Sequence, residues 1–380
     1  MRRLTSPTWL TLALCLAAIN FFNNAAVETS NVYMALYARS VGSSNFQVGL
    51  IGAALGVTFV ISSLIFGRLS DMYGRVNFIR IGLLLTAVSF FSQALAHSPW
   101  TLLAARSFVG FAGGVMTSAI MAYTWENQKQ IGNFISYGAL GWMVGAMLAA
   151  LIKVYSSIFI FSAVMAFIAF LLSFLIREQA ETAVRMRVSA FPIKLFTSNW
   201  KVFTAFFLRQ VGAMCIWAVW PLYLNSIGAS MLWISVMDAT NMVGQFFASR
   251  YIERFNPARM FQLGLAGSVI VFLLYGVARH YLWIIPVQLL LAAGYSALFV
   301  GALHYLLIRH KERGTVAGLL NSTMSFAGSV GPFLGGVISQ AWGYVAVMFA
   351  GAGICALASV SAIGLKSQKQ AESAVTARGG

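Results

Sequence analysis

Ala35-Leu-Tyr-Ala-Arg-Ser-Val-Gly-Ser-Ser44 returns later in the chain as Pro221-Leu-Tyr-Leu-Asn-Ser-Ile-Gly-Ala-Ser230. Leu, Tyr, Ser, Gly and Ser coincide at one offset, which carries Tyr37 onto Tyr223 and Gly42 onto Gly228. The same offset carries Glu126, Gly132 and Gly145 onto Glu312, Gly318 and Gly331. A third correspondence joins Gly67-Arg-Leu-Ser-Asp-Met-Tyr-Gly-Arg75 to Ser249-Arg-Tyr-Ile-Glu-Arg-Phe-Asn-Pro257. One such match arises by chance. Three in succession indicate a chain built from two related halves.

Composition says what kind of halves these are. The 380 residues are 59% hydrophobic and only 9% charged, whereas a soluble domain carries about 25% charge. Low charge with many aromatics is also the reverse of a disordered composition. The apolar runs are long and unbroken, unlike the alternating segments of about ten residues in an outer-membrane barrel. The expected fold is an all-α integral membrane protein.

A membrane helix needs roughly 20 apolar residues to cross the ~30 Å hydrocarbon layer. Windows free of formal charge run over Leu4–Val27, Ser40–Gly67, Ile81–Ala105, Ser107–Trp125, Gln130–Ile152 and Val154–Ile176. The second half offers Val202–Asn225, with Arg209 inside it, Met231–Ser249, with Asp238 inside it, Phe261–Ala278 and Tyr281–Ile308. Gly314–Leu365 is too long for one crossing, and Gln340-Ala-Trp-Gly343 supplies a turn that divides it. These windows predict twelve transmembrane helices in two pseudo-symmetric six-helix bundles. The bundles cover 1–176 and 201–365, with a cytoplasmic linker at 177–200 and a cytoplasmic tail at 366–380. Arg2 and Arg3 before the first window resemble a signal peptide's start, but the run is too long and lacks a cleavage site, so it reads as a retained first helix.

The formal charge of +16 is accounted for by topology. With both termini cytoplasmic, 20 of the 25 Lys and Arg fall on inner segments. Arg39, Lys153 and Arg279 lie outside, and Arg106 and Arg209 lie within helices. That asymmetry is the positive-inside rule, so no nucleic-acid partner is needed to explain the charge. Cys15, Cys215 and Cys355 all lie in apolar runs without ligand or disulfide spacing, and read as packing residues.

Two six-helix halves, a polar central stretch and the segment Gly67–Arg75 resemble the major facilitator superfamily over nearly the whole chain. That family's loop runs Gly-x-Leu-Ala-Asp-Arg-x-Gly-Arg-Lys; Gly67, Leu69, Asp71, Gly74 and Arg75 match it, while Met72 and Val76 depart from it. Leu103-Ala-Ala-Arg-Ser-Phe-Val-Gly110-Phe-Ala-Gly113 is similar to the family's Arg-x-x-x-Gly element in its fourth helix. The fifth-helix antiporter signature is a glycine row ending in Gly-Pro. Here Gly138, Gly141 and Gly145 lack the proline, which instead follows Gly331. The resemblance implies an inner gate in which Gly67, Asp71, Gly74, Arg75 and, in the second copy, Glu253 clasp the opposite half. It also implies a transporter of the drug/proton antiporter kind.

Charges inside membrane helices are the sharpest signal, since each costs roughly 2.5–3.5 kcal/mol even on the lenient insertion scale. Glu28, Arg106, Arg209 and Asp238 qualify. Glu28 shares one face of the first helix with Asn20, Asn23, Asn24 and Asn31, an arc of about 140° at 100° per residue. Asp238 repeats the device with Asn241, Gln245 and Ser249. Arg209 shares a face with Trp217 and Trp220, and Arg106 with Gly110, Gly113 and Thr117. These faces are expected to line a water-accessible cavity, with Glu28 and Asp238 as proton carriers. Interhelical hydrogen bonding is the competing reading for the amides, and mutual neutralisation the competing one for the arginines. His97 and His280 read as residues of outer turns, His310 as an inner-loop residue and His304 as a packing residue.

No catalytic grouping, phosphate loop or metal spacing is present in the sequence, so an enzyme is not expected, nor any cofactor. The leading expectation is a secondary active transporter, by alternating access, for proton-coupled efflux of amphipathic or cationic compounds. Uptake of a sugar or an anionic metabolite is the alternative, and a non-transporting sensor or scaffold is the alternative of another class. The expected partners are the lipid bilayer, a small-molecule substrate and a proton or other ion gradient. The expected state is a monomer crossing the cell inner (plasma) membrane many times.

Overall fold

The computed structural model describes residues 7–128, 131–177, 193–252, 254–310 and 313–365, and among them every regular element is helical. In chain order these are α1 Pro7–Asn31, α2 Met34–Ser40, α3 Asn45–Tyr73, α4 Arg75–Ala94, α5 Pro99–Gln128, α6 Ile131–Ile152 and α7 Tyr155–Leu172. They continue with α8 Ile193–Ser198, α9 Trp200–Ser226, α10 Met231–Ile252, α11 Pro257–Val277, α12 Ile284–Arg309 and α13 Arg313–Ser361. Among the described residues, nine helical stretches are long and apolar enough to cross a bilayer. The charge-free windows led to an expected count of twelve. The difference has three sources. α10 carries Asp238, Asn241 and Gln245, which lower its hydropathy, and the apolar part of α6 is the shorter stretch Ser136–Ile152. The last two expected spans also form the single run α13, interrupted only at Gly343, where φ is +80°.

Helix ends differ from the charge-free windows because caps and backbone geometry end helices, whereas charge does not. The window boundary at Arg106 falls inside α5; the true turn is at 95–98, and α5 starts after it at Pro99, where Ser98 and Thr101 exchange backbone and side-chain hydrogen bonds across the first turn. α3 starts five residues after Ser40, because Ser44 and Gln47 form a reciprocal capping box. It then runs on to Tyr73, so Gly67 and Asp71, read as parts of a loop, are helical. Gly74 alone breaks the chain, at φ +95°, before α4 begins at Arg75. Asn256 caps α11, with Pro257 in its first turn.

By internal contacts the chain divides into two units: Met1–Val188 with Ala229–Ala239, and Ser189–Gly228 with Thr240–Gly380. In the first, α1 packs on α6 and α7, α5 packs on α3 and α4, and α4 packs on α7. Its core holds Leu16, Ile19, Ile79, Leu83, Met116 and Ile120 at one level and Ala25, Phe90, Val109 and Ala166 at another. In the second, α9 packs on α13, and α11 packs on α12 and α13. Phe203, Phe206, Phe261, Leu265, Leu298 and Leu306 form its core.

The repeated motifs perform the same tasks in each unit. Tyr37 donates its hydroxyl hydrogen bond to the carbonyl of Ala96, just past the end of α4. Tyr223 donates to the carbonyl of Tyr275, in the last turn of α11. Gly42 and Gly228 both adopt positive φ, +89° and +91°, where a side chain is disfavoured. Gly145 lets α6 approach α1: a Cβ there would lie 2.5 Å from the Ala25 carbonyl oxygen. Its counterpart Gly331 does the same for α13 and α9, where a Cβ would lie 2.8 Å from the Val211 oxygen. Ala25 and Val211 are themselves related by the offset that relates the two glycines.

Candidate functional site

In the first unit the polar face of α1 meets three neighbours. Asn20 is buried and donates to the Phe134 carbonyl on α6 at 2.6 Å. Asn24 donates to the Asn20 side-chain oxygen at 2.8 Å, and its own oxygen accepts from Trp142 Nε1 at 2.7 Å. Thr29 donates to the Gly145 carbonyl at 3.0 Å. This end of the stripe therefore joins α1 to α6. Asn23 is also buried, but its side-chain oxygen has no hydrogen-bond donor among the described residues.

Further along α1 the contacts turn to α4 and α5. Arg106 is buried on α5 and donates from Nη2 to the Asn31 oxygen at 2.9 Å and from Nη1 to the Gln93 oxygen at 3.4 Å. Gln93 in turn donates to Ser30 at 3.1 Å. The Nε of Arg106 is sealed without an acceptor, and among the described residues no carboxylate pairs with this guanidinium. Glu28, one turn from Asn31 along α1, is 7% exposed and receives no hydrogen bond among the described residues. Asp238, the other carboxylate placed within a helix, lies in the segment of α10 belonging to the same unit. On the same segment of α10, the Ser235 hydroxyl and the Met231 carbonyl each lie 2.6 Å from the Tyr33 hydroxyl.

The second unit holds Arg209, Trp217 and Trp220 on α9 and Asn241 and Gln245 on α10. Arg209 is 2% exposed and donates from Nε to Ser268 at 2.9 Å and from Nη1 to the neighbouring Gln210 oxygen. Its guanidinium carbon sits 5.2 Å from the centre of the Tyr295 ring and 5.8 Å from that of Phe272. Trp220 is core rather than wall: it is 2% exposed, with its ring centre 4.7 Å from that of Tyr275. Trp217 is half-buried and meets Trp220 edge to face. Asn241 donates to the backbone and side-chain oxygens of Gln288 on α12, at 3.2 and 3.1 Å, and accepts from Gln245 at 2.6 Å.

Of the gate residues, Gly67 faces α5, where a Cβ would lie 3.3 Å from that of Ser118. Glu253 and the side chain of Asp71 lie outside the described residues. Sequence reasoning overlooked Gln93, Gln210, Gln288 and Tyr295. The two glutamines at 93 and 288 were detectable, as lone amides in apolar runs that must find partners once water is excluded. Gln210 and Tyr295 become relevant only through Arg209, which the chain order does not place beside them. Among the described residues no group of three His, Cys, Asp or Glu side chains converges as a metal site would require.

The sequence model of the Major Facilitator Superfamily matches residues 13–240 and 202–378. The quinolone resistance protein NorA of Staphylococcus aureus (strain MSSA476) is 24% identical over 323 residues, spanning 80% of this chain and 83% of that protein. A Haemophilus influenzae protein described as a metabolite transporter is 27% identical over 344 residues, spanning 80% and 81% of the two chains. Among solved structures, a point mutant of the nucleoside transporter NupG superposes with a TM-score of 0.80 at 12% identity, covering 93% of this chain and 99% of that one. A bacterial homologue of the human lysosomal transporter Spinster superposes with a TM-score of 0.79 at 15% identity, covering 94% and 97%. At these identities the superpositions establish the fold alone.

Proposed function

This chain belongs to the Major Facilitator Superfamily, and from that premise we propose that it is a twelve-span secondary transporter exporting amphipathic or cationic compounds in exchange for protons. It is a membrane transporter and not an enzyme. The bundles at 1–176 and 201–365 would rock about a solute held near mid-membrane, with both termini cytoplasmic and the plasma membrane as host. The Gly67–Arg75 segment and its second copy with Glu253 would serve as the inner gates.

One observation carries the coupling: Glu28 is buried on α1 without a hydrogen-bond donor among the described residues, in the same unit that holds Asp238. A carboxylate in apolar surroundings is expensive while charged, and a proton removes that charge. Binding and release of a proton there would differ between conformations with different access to water. The likeness to NorA supports export of amphipathic compounds. A second reading, uptake of a sugar or anionic metabolite, is favoured by the Haemophilus relative and by the amide-rich face of α1.

The test is pH-gradient-driven accumulation of a lipophilic cationic dye in everted vesicles. Glu28→Gln and Asp238→Asn are each expected to lower the driven rate at least ten-fold while downhill dye exchange persists. Full driven accumulation in both variants removes the coupling proposal. A wild type that moves no cationic dye but takes up sugars or organic anions transfers the case to the second reading.

A further inference from the structure

Arg209 is a charge that the coupling scheme does not use. Nine residues into α9, it lies about 13 Å along the helix from Trp200. The residues it meets, Ser268 of α11 and Tyr295 of α12, are likewise near the middles of their helices. The guanidinium is therefore held far from either membrane surface, where a positive charge costs several kcal/mol unless a partner compensates it. Among the described residues, its own unit supplies no carboxylate partner. The acidic residues of that unit are Glu253, Glu312 and Glu372, and none of them is among the described side chains. No acidic residue at all occurs in the sequences of α9, α11, α12 or α13.

What surrounds the charge is neutral and ordered. Ser268 accepts from Nε and passes its own hydrogen to the Gly264 carbonyl at 2.8 Å. Gln210 accepts from Nη1, and the Tyr295 hydroxyl is directed to the Met324 sulfur at 3.8 Å. The faces of Tyr295 and Phe272 lie against the cation. Nη2 meets no acceptor among the described residues, and it is not one of the fold's sealed unpartnered atoms. Three sides of the guanidinium are thus held by fixed neutral groups, and one nitrogen keeps its donors available. A fork of N–H donors fixed in this way matches a carboxylate better than a rounded cation or a neutral hydroxyl.

We propose that Arg209, held by Ser268, Gln210 and Tyr295, is the anion subsite of the second unit and takes the carboxylate of an aromatic or amphipathic solute. The aromatic faces beside it would pack on the apolar part of such a solute. Its role in transport rests on the reading of the chain as an exporter, and a carboxylate here extends the range of solutes beyond simple cations.

Benzoate and benzamide are the probes, since they share size and ring and differ in charge. With purified full-length protein, benzoate at millimolar concentration is expected to raise the melting temperature by about 2 °C or more, as ligand binding to the native state does. Benzamide is expected to have no such effect. Arg209→Gln should abolish the benzoate shift, and Arg209→Lys, which keeps the charge but not the fork, should reduce it. Tyr295→Leu should weaken it as well. Absence of a benzoate shift in the wild type overturns the proposal, as does an undiminished shift in Arg209→Gln. If Arg209→Gln does not fold, an undiminished shift in both Arg209→Lys and Tyr295→Leu overturns it equally. In vesicles, rhodamine 110 and its methyl ester rhodamine 123 separate this inference from the exporter reading. Arg209→Lys should lower the preference for the free acid over the ester, and an unaltered preference counts against the subsite. Failure of the wild type to move either dye, with the benzoate shift intact, removes the exporter reading and leaves the subsite standing.

Discussion

Gln93 joins two residues that the chain order keeps apart: its amide oxygen accepts from Arg106 and its amide nitrogen donates to Ser30. It is itself fully buried. Replacing it with leucine removes one of the acceptors that Arg106 possesses and leaves more of that guanidinium unsatisfied. A buried polar group stripped of its partner costs about 1–3 kcal/mol. Gln93→Leu is therefore expected to lower the melting temperature of the purified protein, and a change within error would show that Arg106 finds compensation elsewhere. The same residue marks a boundary of sequence reading. Arg106 is conspicuous because a charge in an apolar run must be explained, and its assignment to a polar face followed from helical spacing alone. That it meets Asn31 and Gln93, and no described carboxylate, depends on how α1, α4 and α5 are brought together.

At the scale of elements, the duplicated glycines govern how closely helices approach. Gly145 and Gly331 each sit where an added Cβ would strike the backbone of the first long helix of the unit. Overfilling such a contact costs about 1–3 kcal/mol. Gly145→Leu and Gly331→Leu are each expected to depress thermal stability strongly, and by comparable amounts. Gly328, on the same helix as Gly331, has open space where a Cβ would project, with no neighbouring atom within 4 Å. Gly328→Ala is therefore expected to be neutral or slightly stabilising, by up to about 1 kcal/mol, from helix propensity alone. Equal effects at all three sites in melting experiments would contradict the contact argument. Helix existence was legible from apolar length, because the bilayer demands it. Helix ends were not, since windows defined by charge place a boundary at Arg106 and miss the turn at 95–98, and they end the second helix at Gly67 although α3 runs to Tyr73.

For the whole molecule, the distribution of Lys and Arg carries the proposed orientation. Cys15, Cys215 and Cys355 are buried, so labelling of introduced cysteines has little background. His97 is an exposed residue of the turn between α4 and α5, and Ser198 is an exposed residue at the end of α8. With both termini cytoplasmic, His97→Cys is expected to react with an impermeant maleimide in intact cells. Ser198→Cys should react only after permeabilisation, and the opposite pattern would invert the topology.

Apolar length, the bias of basic residues and the repeated Leu-Tyr and glycine positions are properties of the chain itself, and they determined a membrane helical protein of two related halves. They could do so because hydrocarbon accepts only segments that satisfy their own backbone hydrogen bonds, a condition readable one segment at a time. The tertiary structure decided the rest. It placed Asn20 and Asn24 in the α1–α6 contact, made Trp220 part of a core, grouped Glu28 and Asp238 in one unit, and surrounded Arg209 with neutral groups. Each of these depends on which side chains from distant segments share a few ångströms of space. Spacing along one helix defines a face, but only packing decides whether that face meets a neighbour, a charge or open volume.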